Sequence, residues 1–345
     1  MSLAGDEGGT NVPSPFVRPR IATPCISVVV PVYNEEEAIA PFMAALDAAM
    51  PKEAFDLQVV FVNDGSHDGT LSALAALAAQ DPRLVIVNLS RNFGKEAALT
   101  AGLDHARGDV VVPMDVDLQD PPAVIPRMLE KWAEGYDVVL AVRASRDNDT
   151  VGKRMSAQWF YYLFNSVSSP RIPVNVGDFR LIDRRVVEAL SSLGDRNRFM
   201  KGLFAWTGFS AIAVEYVRGQ RTAGRTKWNY WKLWNFALDG IFSFSTAPLR
   251  VWTYLGLMVA VAAIVYAGIV LLRTLLFGID VPGYASLMVV VLFLGAMQLI
   301  SIGIIGEYVG RLFIEAKRRP LYLVDGVYSS GSLREDEMIA AAKAF

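Results

Sequence analysis

The stretch CISVVVPVYNEE, residues 25–36, decides the fold class. Cys25 to Val32 is a nearly unbroken apolar run rich in β-branched residues, which at this length reads as a strand buried on both faces of a parallel sheet. Asn34 is then expected to cap a helix beginning near Glu35, with Glu35, Glu36 and Glu37 in the first turn, where the helix dipole favours anions. The same alternation continues downstream. Leu57 to Val62 is a second strand that ends in Asn63-Asp64-Gly65-Ser66, and Asp68 or Thr70 opens a helix through Ala79. Leu84 to Leu89 is a third strand, Gly94 to Ala106 a helix, and Asp109 to Met114 a fourth strand. Strands alternating with helices of this length predict an α/β domain: a Rossmann-like, mostly parallel sheet with helices on both faces.

The chain has 345 residues, Lys+Arg 33 against Asp+Glu 35, and 53% hydrophobic residues. Its mean hydropathy of +0.32 is too high for an ordinary soluble enzyme. The apolarity is uneven, because charges recur every few residues up to Arg250 and nearly vanish from there to Glu307. A soluble domain plus a membrane piece is therefore expected. A net charge of −2 provides no electrostatic footprint for nucleic acid. One cysteine, Cys25, and two histidines, His67 and His105, leave no disulfide framework and no Cys/His zinc cluster.

Residues 1–24 carry Gly, Pro and acidic residues without an apolar run, so they read as a disordered tail and not as a secretory signal. The α/β domain is expected over residues 25–227. The crowded aromatics of Trp228 to Phe244 read as an interfacial helix within a juxtamembrane segment, 228–250. No charge interrupts Val251 to Leu272 or Val281 to Gly306, and both runs are long enough to cross a bilayer. Residues 307–345 are expected to hold a second juxtamembrane helix, its basic end on anionic lipid, and a tail. Arg225, Lys227, Lys232 and Arg250 precede the spans, and Arg311, Lys317, Arg318 and Arg319 follow them. The positive-inside rule then places both flanks, both termini and the soluble domain on the cytoplasmic side of the inner or plasma membrane.

In such sheets a ligand sits beyond the carboxyl ends of the strands. Three polar clusters fall there: Tyr33-Asn34-Glu35, Asn63-Asp64-Gly65-Ser66 and Asp115-Val116-Asp117-Leu118-Gln119. None carries G-x-G-x-x-G or a P-loop, which disfavours a dinucleotide dehydrogenase or a P-loop NTPase. Asp115 and Asp117 with the amide oxygen of Gln119 are hard oxygen donors suited to Mg²⁺ or Mn²⁺ on a diphosphate. A helix N-cap is the alternative use of such acids, and Asp120, just before Pro121-Pro122, is expected to fill it.

The segments VVVPVYNEE (28–36), VNDGSHDGT (62–70), SRNFGKEAAL (90–99) and DVDLQDPP (115–122) together resemble family 2 glycosyltransferases of the GT-A fold. Within that family they are similar to the enzymes that glycosylate polyprenyl phosphates, and VGDFRLIDRR (176–185), RTAGRTK (221–227) and the two C-terminal spans continue the likeness. The Q-x-x-R-W motif of processive synthases is missing from the sequence, which argues for one sugar per catalytic event. The resemblance implies a nucleotide diphosphate-sugar donor, UDP-linked by expectation, a polyprenyl phosphate acceptor such as undecaprenyl phosphate, contact with membrane lipid, inversion at the sugar, and a homo-oligomer, a tetramer in the family.

By that resemblance Pro31, Tyr33, Glu35, Asp64, Lys95 and Asp115 line the nucleotide-sugar, with Asp64 on base or ribose, or else simply closing an Asx-turn. Lys95 reads equally as a solvated helix residue. Asp115, Asp117 and Gln119 would hold the metal, and Asp117 and Asp178 would be the catalytic residues. Asp178 is the residue the family places beside the acceptor phosphate, usually as a base. A phosphate monoester has a second pKa near about 6, so the acceptor is largely a dianion at pH 7 and Asp178 has an alternative role in orienting the sugar or a neighbouring Arg. An anionic nucleophile needs cations, and Arg143, Arg146, Arg180, Arg221 and Lys227 are the candidates. Two rival readings are transfer to a neutral lipid hydroxyl, and a nucleotide-sugar-binding regulatory subunit of a transporter.

Overall fold

The computed structural model describes residues 20–21, 23–52, 54–144, 176–196, 198–217, 219, 245–277 and 283–329. Its α/β part is a three-layer α/β/α sandwich around one mixed sheet of eight strands, in the order β7-β5-β6-β4-β1-β2-β3-β8. The strands are β1 (Cys25–Val32), β2 (Asp56–Asn63), β3 (Leu84–Leu89), β4 (Val110–Pro113), β5 (Val138–Arg143), β6 (Val176–Asp183), β7 (Ala211–Tyr216) and β8 (Val324–Ser329). The helices are α1 (Glu36–Ala49), α2 (Thr70–Ala78), α3 (Lys95–His105), α4 (Ile125–Ala133), α5 (Arg184–Ser192), α6 (Met200–Trp206), α7 (Ala247–Phe277) and α8 (Tyr284–Lys317).

The apolar run at residues 25–32 becomes the centre of the sheet. It pairs in parallel with β2 on one side and β4 on the other, and β2 pairs in parallel with β3. Strand order therefore reverses at β1, and the crevice beyond the ends of β1 and β4 is where a ligand of an open α/β sheet is held. Period-2 alternation sends Val28, Val30 and Phe61 into one core, where Phe61 meets Phe42 of α1 edge-on at 6.0 Å. Val29, Val60 and Val62 enter the second core, beneath α3, α5 and α6. Gly102 of α3 permits this closeness, since a Cβ there would lie 2.2 Å from Val29 Cγ1.

Two strands run against the parallel expectation. Strand β6 is antiparallel to both β4 and β5, and β8 is antiparallel to β3. Reversal of β6 has a functional effect, because it brings the start of β6, with Asp178, to the edge where the parallel strands end. Strand β8 lies in the segment expected to be a tail. Leu323 O accepts the Ser90 amide at 3.0 Å and Tyr322 Oη donates to Asp104 at 2.7 Å, which ties residues 322–329 to the α/β domain.

Three local expectations are corrected. Asn34 does not cap α1: it has a left-handed φ of 54°, and its Oδ1 accepts the His67 amide at 2.9 Å, joining the turns after β1 and β2. The turn that follows Asp120 has Pro121 at its N-cap, and Asp120 Oδ1 accepts a hydrogen bond from Tyr216 Oη in the interior. Arg20, inside the expected tail, is held by ion pairs to Asp137 and Asp183, and its guanidinium lies 4.8 Å from the Trp132 ring centre.

Helices α7 and α8 extend beyond the two uncharged runs, and within them Leu249–Phe277 and Val289–Lys317 are long and apolar enough to cross a membrane. Among the described residues of those spans, none is buried. The juxtamembrane helix expected from the aromatics of residues 228–244 lies outside the described residues.

Candidate active site

The site is built on the turns that leave β1, β2, β3 and β4. The Asp64 amide continues the ladder by donating to Val32 O at 2.9 Å, and the Met114 amide donates to Val29 O at 2.9 Å. Tyr33, Asp64 and Asp115 are thereby set at one rim, with Pro31 one register step below in the sheet. The Glu35 amide donates to Thr70 Oγ1 at 3.0 Å, which fixes the entry to α1 against the entry to α2.

Gly65 makes this packing feasible. Its φ is +67°, and a Cβ would sit 2.4 Å from the Arg91 carbonyl carbon and 2.5 Å from the Asn92 nitrogen. The turn after β2 thus lies directly on the turn after β3. Asp64, 4% exposed, accepts the Phe93 amide on Oδ1 at 2.7 Å and the Gly94 amide on Oδ2 at 3.0 Å. Burial raises its pKa, and the two amides, with Arg91, oppose that rise. Here Asp64 organises the loop that opens α3, a function not visible in its sequence context.

Lys95, the first residue of α3, is the pivot. Its Nζ lies 2.6 Å from Asp115 Oδ1 and 2.8 Å from Asp178 Oδ2. One ammonium thus joins a carboxylate at the end of β4 to one at the start of β6. Burial alone would lower the lysine's pKa, but the two carboxylates outweigh it and hold the ammonium above the ordinary lysine range. Burial likewise pushes Asp178 up, yet Lys95, Lys201 and Arg180 reverse this and hold its carboxyl well below the usual carboxylate range. Asp178 is therefore an anion at any physiological pH, and a poor proton acceptor. Beside it Glu96 behaves oppositely: burial and the Asp178 charge push its carboxyl up to about 7, while its Oε2 accepts the Met200 amide at 3.4 Å.

The loop after β4 turns at Leu118, φ 56°, and Asp117 Oδ1 accepts the Gln119 amide at 3.1 Å. The Gly219 amide donates to Gln119 O at 2.9 Å, so the chain beyond β7 returns to this loop. Beneath it Tyr216 is hydrogen-bonded to Asp120 and to Arg143. Burial and Asp120 push that phenol up to about 12, against the opposing pull of Arg143.

Among the described residues no cluster of three or more His, Cys, Asp or Glu forms a metal cage. Two carboxylates on an open loop fit a different kind of site. Asp115 and Asp117 suit a hard divalent ion that takes its remaining oxygens from a diphosphate and water, as Mg²⁺ does in phosphate-handling enzymes. Asp115 is 42% exposed, so one side of it is open to such a ligand.

Of the five expected acceptor-side cations, Arg143 and Arg180 fall among the described residues, and both lie at Gly177. Arg180 is 3% exposed, its Nη2 donating to Gly177 O at 2.8 Å and its guanidinium lying 4.1 Å from the Phe204 ring centre. Arg143 ends β5 beside Gly177, with Nη2 3.8 Å from where a Cβ on that glycine would stand. Arg146, Arg221 and Lys227 lie outside the described residues. Lys201 of α6 was not among the candidates, although its Nζ lies 3.9 Å from Asp178 Oδ1. No motif marks it, because only the packing of α6 across the sheet brings it to Asp178.

A family model described as Glycosyl transferase family 2 matches residues 27–191, and one described as GtrB C-terminal hairpin matches residues 247–312. A "Prophage bactoprenol glucosyl transferase homolog" of Escherichia coli is 54% identical over 302 residues, covering 88% of this chain and 99% of that protein. An uncharacterized glycosyltransferase of Synechocystis is 52% identical over 303 residues, 88% of this chain and 95% of its own length. A mannosyltransferase from Pyrobaculum calidifontis, solved in complex with GDP-Man and Mn²⁺, aligns at 20% identity with a TM-score of 0.45, covering 89% of this chain and 88% of that one.

Proposed function

The chain belongs to glycosyl transferase family 2, and from that premise we propose that it moves one sugar, with inversion, from a UDP-linked donor to a polyprenyl phosphate such as undecaprenyl phosphate at the cytoplasmic membrane face. The observation that carries the proposal is the Lys95 bridge between Asp115 and Asp178. It sets a donor-side carboxylate beside an acceptor-side one, on a chain that also carries two helices of membrane-spanning length. That relatives carry the name bactoprenol glucosyl transferase supports the acceptor class.

The donor lies across the rim of β1, β2 and β4. Pro31, Tyr33 and Glu35 line the nucleotide, while Asp64 acts on it through the loop that presents Lys95. Asp115, Asp117 and Gln119 would hold Mg²⁺ or Mn²⁺, which would supply charge neutralisation for the departing diphosphate. An oxygen of the acceptor phosphate attacks the anomeric carbon, the bond from that carbon to the diphosphate oxygen breaks, and the nucleoside diphosphate leaves from the opposite face. No proton needs to move, because the acceptor, with its second pKa near about 6, is already largely a dianion at pH 7. The depressed pKa of Asp178 supports the same picture, since a carboxylate so reluctant to take a proton serves better as an electrostatic guide than as a general base.

The test is turnover by the detergent-solubilised protein with a short polyprenyl phosphate over a panel of UDP- and GDP-sugars. A charged, lipid-extractable glycosyl phosphate formed with a UDP-sugar is expected. Donor hydrolysis without lipid product, or donor binding without any turnover, would overturn the proposal, the latter in favour of a regulatory subunit.

A further inference from the structure

We infer that Lys201 binds the phosphate of the acceptor and holds it against Asp178, an inference that rests on the reading above. An anionic nucleophile must approach a rim that already carries Asp115 and Asp178, with Asp117 on the loop after β4, and in a partly dehydrated site like charges repel strongly. A cation is needed on the side away from the donor. Arg180 is not it, since its guanidinium is turned into the core against Phe204 and backbone carbonyls. Lys95 already contacts both Asp115 and Asp178 at hydrogen-bonding distance.

Lys201 differs from both. Its Nζ is 3.9 Å from Asp178 Oδ1, beyond a hydrogen bond, and its side chain is 24% exposed. The ammonium is thus drawn to the carboxylate without being fastened to it, and it approaches Oδ1 whereas Lys95 holds Oδ2. An incoming phosphate oxygen would find in Lys201 a donor with hydrogen-bonding capacity to spare.

The placement of α6 also favours a lipid-linked ligand. The Met200 amide is held by Glu96 Oε2 from α3, and the Arg196 amide donates to Glu315 Oε1 at 2.8 Å near the end of α8. Lys201 therefore stands on a short helix whose approach is fixed at one end to the catalytic domain and at the other to the helix of membrane-spanning length. This connection to α8 suits a phosphate carried on a chain embedded in a membrane.

The experiment compares wild type, Lys201→Met and Lys201→Arg in detergent, measuring KM for a short polyprenyl phosphate and, separately, Kd for the UDP-sugar by calorimetry. Methionine keeps the length and apolar stem, so α6 is retained. Lys201→Met is expected to raise the acceptor KM about 10- to 100-fold with donor Kd changed less than about twofold, and Lys201→Arg to recover most of the loss. An unchanged acceptor KM in Lys201→Met, or a donor Kd weakened in parallel, overturns the assignment. Wild-type turnover of the polyprenyl phosphate separates the two failures: if it is present, only Lys201 is misassigned, and if it is missing, the proposed function falls and this inference with it.

Discussion

Replacing Asp64 by Asn distinguishes a residue that touches the donor from one that builds the loop beneath it. Asp64 gives one oxygen to the Phe93 amide at 2.7 Å and the other to the Gly94 amide at 3.0 Å. Asparagine keeps a single acceptor oxygen, so one buried amide would face an NH₂ donor. Losing a hydrogen bond to a charged group costs about 1.5–3 kcal/mol, and an unsatisfied buried amide adds to that. Part of this is offset, because the neutral side chain escapes the burial penalty that raises the aspartate pKa. A net cost of about 2 kcal/mol remains, equivalent to a fall in Tm of roughly 4–8 °C for a domain of this size. Lys95 follows directly on Gly94, so the loosened loop should also weaken UDP-sugar binding. Thermal unfolding in detergent and donor calorimetry on Asp64→Asn check both effects. An unchanged Tm with donor affinity lost at least about tenfold would refute the loop assignment and return Asp64 to direct nucleotide contact.

Three further outcomes are expected. Gly65→Ala must accommodate a Cβ 2.4 Å from the Arg91 backbone at a positive φ, so a loss of about 2 kcal/mol or more is expected, and a Tm within about 1 °C of wild type would contradict the packed turns. Glu96, pushed up from 4.5 to about 7, binds more protons folded than unfolded between those values, so its contribution is full below about 4.5 and is lost as pH rises through 7; it is at most about 3 kcal/mol. Glu96→Gln should flatten Tm against pH between about 5 and 8, and an unaltered profile would show that the proton lies elsewhere. Asp117→Asn is expected to lose about 100-fold or more in turnover, and thorough chelation to silence wild type, whereas full activity after chelation would remove the divalent ion from the proposal.

The core of this fold was legible because its strands are local signals. Residues 25–32 and 84–89 fall where their β-branched runs begin and end, since each run is short, apolar and bounded by turn residues. Strand β8 was not legible: Val324–Ser329 contains Asp and Gly, and only pairing with β3, far away in sequence, makes it a strand. Arg180 shows the same limit from the opposite side. An arginine beside Asp178 reads as an exposed ligand, but Phe179 and Leu181 enter one core while Ile182, two residues beyond Arg180, enters the other. A strand covered on both faces has no solvent side for Arg180 to take. The carboxylates Asp115 and Asp178 were visible as chemistry, but the Lys95 bridge between them depends on β6 running antiparallel, which no local pattern encodes.

The proposed transfer requires an acceptor that arrives already charged. The direct measurement is kcat/KM with one UDP-sugar for a short polyprenyl phosphate and for the matching polyprenol, across about pH 5 to 9. The phosphate should be used at least about 100-fold better, with activity rising through the second ionisation, whose midpoint is near about pH 6. Equal or better use of the alcohol, with a rate that follows the titration of a protein base, would contradict the account and make the enzyme one that glycosylates a neutral lipid hydroxyl.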